Sequence, residues 1–348
     1  MRRHSAFVLI TGLALAVAGK ADEVILVRNA AIKVPGGRLV GQITSESPTS
    51  VKIKPDTGAE REVPLDQIAS INYTGQPASL PLAETRENSG ALAEALEQYR
   101  KAATEAASKP LIAEAAQFGA ARVLAEMAKA DPAKVDEAIA ALDAFVKAHR
   151  SSRHLAPALE MLAQLSLSQG QNDRAEEALR SLAAIPWAAD RAAALQARVL
   201  ARRGQVNEAL QLLDRVVGAA PKGSTRAQEA RLARAEILAA AGKFADAEAA
   251  AREVIQDTPP ENAELQAIAH NTLGDCLRAA GKTKDALFAY LETDILYDAN
   301  KEQHAKALFY IAQLWRDLKQ DDRADEVMGR LREKYPQSPY LSGARATQ

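Results

Sequence analysis

Five histidines, one cysteine and a handful of spaced charges carry whatever chemistry this chain offers. His4, His149, His154, His270 and His304 form no His-Glu-x-x-His arrangement, and none stands at metal-ligand spacing from the cysteine. Cys276 lies between Leu273 and Leu277, a setting that reads as a small buried apolar residue rather than a nucleophile. Being alone, it also excludes an internal disulfide framework. No Gly-x-Ser-x-Gly elbow, phosphate-binding loop or dinucleotide fingerprint is present; Gly36-Gly37 reads as a hairpin turn. The acidic pairs Glu176-Glu177 and Asp321-Asp322 read as solvated helix faces. What remains is binding chemistry. Arg191, Arg198 and Arg202 recur at helical spacing, and their guanidinium forks can receive a carboxylate such as a peptide C-terminus. The alternative is a solvated face with ion pairs inside the helix. The expectation is a protein without catalytic residues, cofactor or metal.

Side chains need elements to hold them, and a period supplies these. Gly170, Gly204, Gly242 and Gly281 stand 34 to 39 residues apart, each followed five residues later by an alanine: Ala175, Ala209, Ala247 and Ala286. A period of that length marks a stack of helical hairpins. Composition agrees. Of 348 residues, 47% are hydrophobic but only 4% aromatic, so alanine supplies much of the apolar content, as closely packed helices require. The formal net charge of -1 gives no global field for nucleic acid.

These units resemble the tetratricopeptide repeat family. The best-formed match runs from Leu265 to Asn300: His270, Leu273, Gly274 and Leu277 repeat the first-helix signature, and Ala286 and Tyr290 the second-helix pair. The other units follow the same grid. Leu159, Leu162 and Ala163 precede Gly170, with Ala175 and Leu179 after it; Ala193 and Ala197 precede Gly204, with Ala209 and Leu213 after it. Ala235 leads to Gly242, Ala247 and Ala251, and Leu308, Ile311, Ala312 and Trp315 lead to Ala324 and Met328. In the last unit Lys319 replaces the turn glycine, which predicts a less tight turn. Ala95 and Ala138 mark two degenerate hairpins upstream, so the resemblance spans roughly Ser89 to Tyr340. It implies a mostly α fold: a solenoid of about five clear and one or two degenerate hairpins.

The resemblance also implies where a protein or peptide partner would lie. First helices line the concave face in this family, which selects Glu160, Gln164, Arg191, Arg198, Arg202, Glu236, Asn271, Asp275, Arg278, Lys306, Phe309, Gln313 and Arg316. Asn271 matches the groove asparagine that holds peptide backbone in some members. The tail, Tyr335-Pro336-Gln337-Ser338-Pro339-Tyr340, resembles the repeat ends of bacterial envelope proteins of this family.

The first 74 residues have another texture. Arg2, Arg3 and His4, the apolar run Ala6–Ala18 and the small-x-small site Ala16-Val17-Ala18 read as a secretory signal over residues 1–21. The run is shorter than the ~20 residues that span a bilayer. Residues 22–74 hold short β-branched runs divided by Pro35-Gly36-Gly37, Ser47-Pro48 and Asp56-Thr57-Gly58, predicting a small SH3-like antiparallel barrel. Residues 75–88 read as a linker and 89–348 as the repeat domain. The expected function is an exported, periplasmic or otherwise extracytoplasmic scaffold for protein partners, with no transmembrane span in the mature chain. The alternative is an accessory component of an envelope assembly or polysaccharide secretion machine, in which the β module supplies specific binding.

Overall fold

The structure is a computed structural model and describes residues 21–28, 30–221, 224–336 and 338–341. The expected signal segment lies outside these residues except for Ala21. The chain divides into two compact units. One comprises residues up to Ser45 together with Val51–Gln76; the other comprises Glu46–Ser50 and everything from Pro77 on.

The first unit is a five-stranded antiparallel sheet built from β1 (Asp22–Leu26), β2 (Arg38–Glu46), β3 (Ser50–Lys54), β4 (Arg61–Pro64) and β5 (Ile68–Asn72), in the order β4-β3-β2-β1-β5. Strand β1 pairs antiparallel with both β2 and β5, with an irregularity between Ile25 and Leu26. Alternation places Val24, Leu26, Leu39, Ile43, Val51, Ile53 and Val63 on the buried side. β4 and β5 occupy opposite edges of the sheet yet are joined only by the 3-10 turn Leu65–Gln67. A flat sheet of five strands would hold its edges about 19 Å apart. Three connecting residues reach only about 14 Å. The sheet therefore has to curl, as a barrel-like module does.

The second unit is fourteen α-helices among the described residues, forming seven hairpins. They are α1 (Ser79–Asn88) with α2 (Leu92–Glu105), α3 (Pro110–Ala130) with α4 (Val135–Ala148), and α5 (Leu155–Ser168) with α6 (Asn172–Ala183). Next come α7 (Ala189–Arg202) with α8 (Val206–Ala219), and α9 (Thr225–Ala240) with α10 (Phe244–Asp257). The last two are α11 (Ala263–Ala279) with α12 (Thr283–Leu296), and α13 (Lys301–Asp317) with α14 (Asp321–Lys334). Residues 79–88, expected within the linker, are thus the first helix of the stack. Pro81 stands in the first turn of this helix, where a missing N–H costs no helical hydrogen bond. Leu80 and Ala83 bury that helix.

The spacing rule has a steric cause. Ala95, Ala138, Ala175, Ala209, Ala247, Ala286 and Ala324 are all fully buried, one in each second helix. Four residues further on, and sixteen after the small residue of the first helix, stand Leu179 (after Ala163), Leu213 (Ala197), Ala251 (Ala235), Met328 (Ala312) and Tyr290 (Gly274). At Gly274 a Cβ would meet the Tyr290 ring at 2.7 Å, so the largest residue of the series sits on the one site with no side chain.

Six of the seven hairpin turns share one bonding pattern; the α3–α4 turn instead runs through Asp131 and the 3-10 turn Pro132–Lys134. Gly90, Gly170, Gly204, Gly242 and Gly281 have φ between 70° and 81°. The N–H of the next residue reaches the carbonyl five positions back at 2.9 Å in each. Lys319 adopts φ 61°, and Gln320 N–H bonds the Trp315 carbonyl at the same 2.9 Å. The last turn is therefore as tight as the others, against expectation. The left-handed conformation costs a non-glycine residue about 1–2 kcal/mol. The cross-hairpin contact of Arg323 over the Trp315 ring, 4.7 Å, helps hold it.

Candidate partner-binding groove

Successive first helices share one face. Among the described residues, the two ends of the stack meet through first-helix residues. Lys129 of α3 pairs with Glu302 of α13 at 3.5 Å, and Lys301 Nζ donates to the Asn88 carbonyl at 3.3 Å. First helices therefore lie on the inside of the curve.

On that face α5, α7 and α9, with the start of α8, enclose a cavity of about 510 Å³. Leu167, Leu195, Val206 and Ile237 give it an apolar floor, and Gln164, Arg198, Arg202 and Glu236 supply its polar groups. Four of the residues selected from sequence thus converge. Arg198 Nη2 pairs with Glu236 Oε2 at 2.7 Å, and Arg202 donates to the Leu167 carbonyl. Beside them Arg191 lies 3.7 Å from Glu160, whose other oxygen accepts from Gln164 at 3.4 Å. A second cavity of about 390 Å³ follows between α3 and α5, where Arg122, Met161 and Leu165 join Gln164. Gln164 is common to both, so the hollows run along the stack.

The remaining selected residues are placed differently. Asn271 is buried in the seam between α11 and α13, where its amide donates to the Gln303 carbonyl at 2.9 Å and to Gln303 Oε1 at 2.8 Å. It holds one hairpin to the next and has no exposed edge for a peptide backbone. Asp275 accepts from Tyr290 Oη at 2.6 Å and from Lys306 Nζ at 2.5 Å. Arg278 lies over the Tyr310 ring, 4.7 Å from its centre, and Tyr310 stacks on Tyr290. Phe309 contacts Tyr310 and Tyr340, which returns from the tail to cover them. Arg316 turns to Asp325 of its own hairpin at 3.2 Å, and Gln313 is half-buried on α13. This end of the face is occupied by its own side chains.

Two family models match the chain, both described as tetratricopeptide repeat: one over residues 160–224, 195–263 and 232–296, the other over 306–338. The helical part belongs to the tetratricopeptide repeat family. Among solved structures, the stack is similar to a tetratricopeptide repeat protein from Parabacteroides merdae, with 16% identity, 74% of this chain and 92% of that chain covered, and a TM-score of 0.49. It is also similar to the apo form of the quorum sensor NprR from B. thuringiensis, with 12% identity, 74% and 75% covered, and a TM-score of 0.50. No curated protein sequence matches the chain.

Electrostatics divide the tetratricopeptide stack. Burial pushes the Glu229 carboxyl of α9 up, and Glu160 and Glu264 add to this while Arg191 opposes it. Sequence reasoning missed Glu229, because a glutamate on an amphipathic helix looks solvated. It missed Leu195 and Ile237 for the opposite reason: leucine and isoleucine on a first helix look like packing. Cys276 is buried, and that burial pushes its thiol up to about 12, where no thiolate forms at neutral pH. His270 is half-buried against the Tyr297 ring at 5.5 Å, and burial holds its pKa down. Among the described residues, no group of three or more His, Cys, Asp or Glu is placed to hold a metal ion. None of the described helices is long and apolar enough to cross a membrane.

Proposed function

We propose that this protein is a non-enzymatic scaffold of the bacterial cell envelope that binds an extended peptide segment of a partner protein on its first-helix face. The 510 Å³ cavity carries the reading: it joins an apolar floor to Arg198 and Arg202. An apolar side chain of the partner fills the floor. A neighbouring carboxylate takes Arg202, which donates to the Leu167 backbone carbonyl, and competes with Glu236 for Arg198. The basic start and apolar run of residues 1–21 support export to an extracytoplasmic compartment.

Selection from a random peptide library on the immobilised chain tests this. Enriched peptides should pair a large apolar residue with an acidic group or free C-terminus. Arg202→Glu and Ile237→Arg should each weaken them at least tenfold, whereas Glu326→Lys on the opposite face should not. Enriched peptides that bind both groove variants undiminished would remove the proposal. Mass spectrometry of the chain recovered from a Gram-negative host should find the new N-terminus near Ala18 or Ala21; an intact Met1 in the cytoplasm would remove the export part.

A further inference from the structure

The turn that joins β2 to β3, Glu46–Ser50, belongs to the helical unit. It is closed by its own bonds. Ser47 N–H reaches the Ser50 carbonyl at 2.8 Å, and Ser47 Oγ accepts from the Ser50 N–H at 2.9 Å. From this preset tip two groups meet the stack. The Glu46 carboxylate, its side chain only 3% exposed, lies 3.2 Å from Arg153 Nε. The Pro48 carbonyl accepts from the Trp187 indole N–H at 2.7 Å. Arg153 and Trp187 are 34 residues apart, and each stands ten residues before the small residue of its first helix, Ala163 or Ala197. They hold the same position in two adjacent units, just ahead of α5 and just ahead of α7. In the three units that follow, that position holds Thr225, Glu264 and Glu302. The repeat therefore requires neither an arginine nor an indole there; the two that reach the turn are a feature of this one step.

We propose that the Glu46–Ser50 turn is a strap that fixes the step from α5 to α7, and with it the width of the hollow between them. In a helical solenoid each hairpin touches only its neighbours, and curvature is the sum of small rotations at each step. A tie across one step removes freedom at that step alone. Helices α5 and α7 are two walls of the 510 Å³ cavity, with Gln164 and Leu167 on one and Leu195, Arg198 and Arg202 on the other. Leu167 stands twelve residues beyond Leu155, the first residue of α5, a distance of about 18 Å along the helix. The strap thus holds the near ends of two levers whose far ends frame the cavity. The indole bond and the buried carboxylate act together, because the turn carries Glu46 and Pro48 as one piece. A ligand that fits the hollow better at one width than another is coupled to the turn by that difference in affinity. This last consequence rests on the cavity being the binding site; the strap itself does not.

Electron–electron distance measurement between two spin labels on the full chain tests it. The labels go on Gln169→Cys and Gln205→Cys in a Cys276→Ala background; both glutamines are exposed and lie just past the far ends of α5 and α7. Arg153→Met with Trp187→Phe removes both ties and keeps apolar bulk at each place. With circular dichroism unchanged, the label distance should shift or broaden by about 2 Å. Hydrogen exchange at the starts of α5 and α7 should speed by about threefold or more. Trp187→Phe alone, which leaves the Arg153–Glu46 pair in place, should give a smaller change of the same kind. Thr225→Ala, at the same position one unit further on, should alter neither readout. A label distance that the double variant leaves unchanged, or that Thr225→Ala moves equally, would overturn the proposal.

Discussion

Tyr99 and Tyr290 hold the same place in their hairpins, four residues after the buried alanine of the second helix, and both are enclosed. Their rings are seated in two different ways. Tyr290 rests on Gly274 of its own hairpin, whereas Tyr99 rests on Gly119 of the next one, where a Cβ would come within 2.4 Å of the ring. The polar ends also differ. Tyr290 Oη donates to Asp275, which Lys306 completes. Tyr99 Oη donates to Glu87 at 2.6 Å, and Arg122 grips both Glu87 oxygens at 2.7 Å. Tyr290 takes its gap and its hydroxyl bond from its own hairpin, meeting the next only through the Tyr310 ring and Lys306. Tyr99 instead takes its gap from the next hairpin, and its hydroxyl is held by Glu87 and Arg122 of two hairpins. A large side chain needs a gap, and either neighbouring helix can supply it.

The largest expected effect comes from filling those gaps. Gly274→Leu should cost about 3 kcal/mol or more, and Gly274→Ala and Gly119→Ala about 1–3 kcal/mol each, read by urea denaturation. Tyr290→Leu added to Gly274→Ala rebuilds the Ala197–Leu213 pair and should recover most of the loss. For Gly119 the compensating change must be at Tyr99, in the preceding hairpin. Additive losses in both pairs would refute the size matching.

That cycle bears on how much could be read from the chain. Period and hairpin count follow from residues at fixed spacing, because contacts inside a hairpin have a constant sequence offset; that the Tyr290 ring fills the gap at Gly274 is shown by the structure. Gly119 was illegible because its contact lies between hairpins, where loop length varies. Asn271 failed as a groove residue for a related reason. Register placed it on a first helix, but how deeply the next hairpin packs over that helix decides whether an amide meets solvent or Gln303. Four cavity residues were found from sequence, since charge on a first helix is visible. The cavity floor was not.

Acid should separate the two ends next. At the N-terminal end, His154 stacks on Phe118 at 4.4 Å, and burial holds its pKa well down, helped by Arg153, Arg122 and His149. The unfolded chain takes up that proton below about pH 6.5 and the native one does not. Stability there should fall as pH drops below 6.5, by up to about 1.4 kcal/mol per pH unit. At the C-terminal end, burial pushes the Asp294 carboxyl up, but hydrogen bonds from His304 and Arg330 outweigh this and lower it. Its contribution is full above about pH 4 and is lost only as pH falls further. Hydrogen exchange at pH 5.5 should show α3 to α5 opening more readily than at pH 7.5, with His154→Phe abolishing the change. Equal loosening of α13 and α14 would erase the contrast.

The smallest effects test the staple itself. Tyr99→Phe and Tyr290→Phe keep both rings and should cost roughly 1–2 kcal/mol each. If the distinction holds, Tyr99→Phe should speed exchange in both α1 to α2 and α3 to α4, and Tyr290→Phe chiefly in α11 to α12. The same spread from both would show the two tyrosines to be equivalent.

The meeting of Lys129 with Glu302, and of Lys301 with Asn88, gives the stack a topology that its linear sequence lacks. A row of hairpins frays from its tips, each unit guarding the one behind it. When the tips touch, the row becomes a clasped bracelet, and fraying must first undo the clasp. Both sides of the Lys129–Glu302 pair are well exposed, at 41% and 61%, so the clasp is weak, under about 1 kcal/mol, and softens as salt rises. Ionic strength thereby sets how often the bracelet stands open without altering any single hairpin.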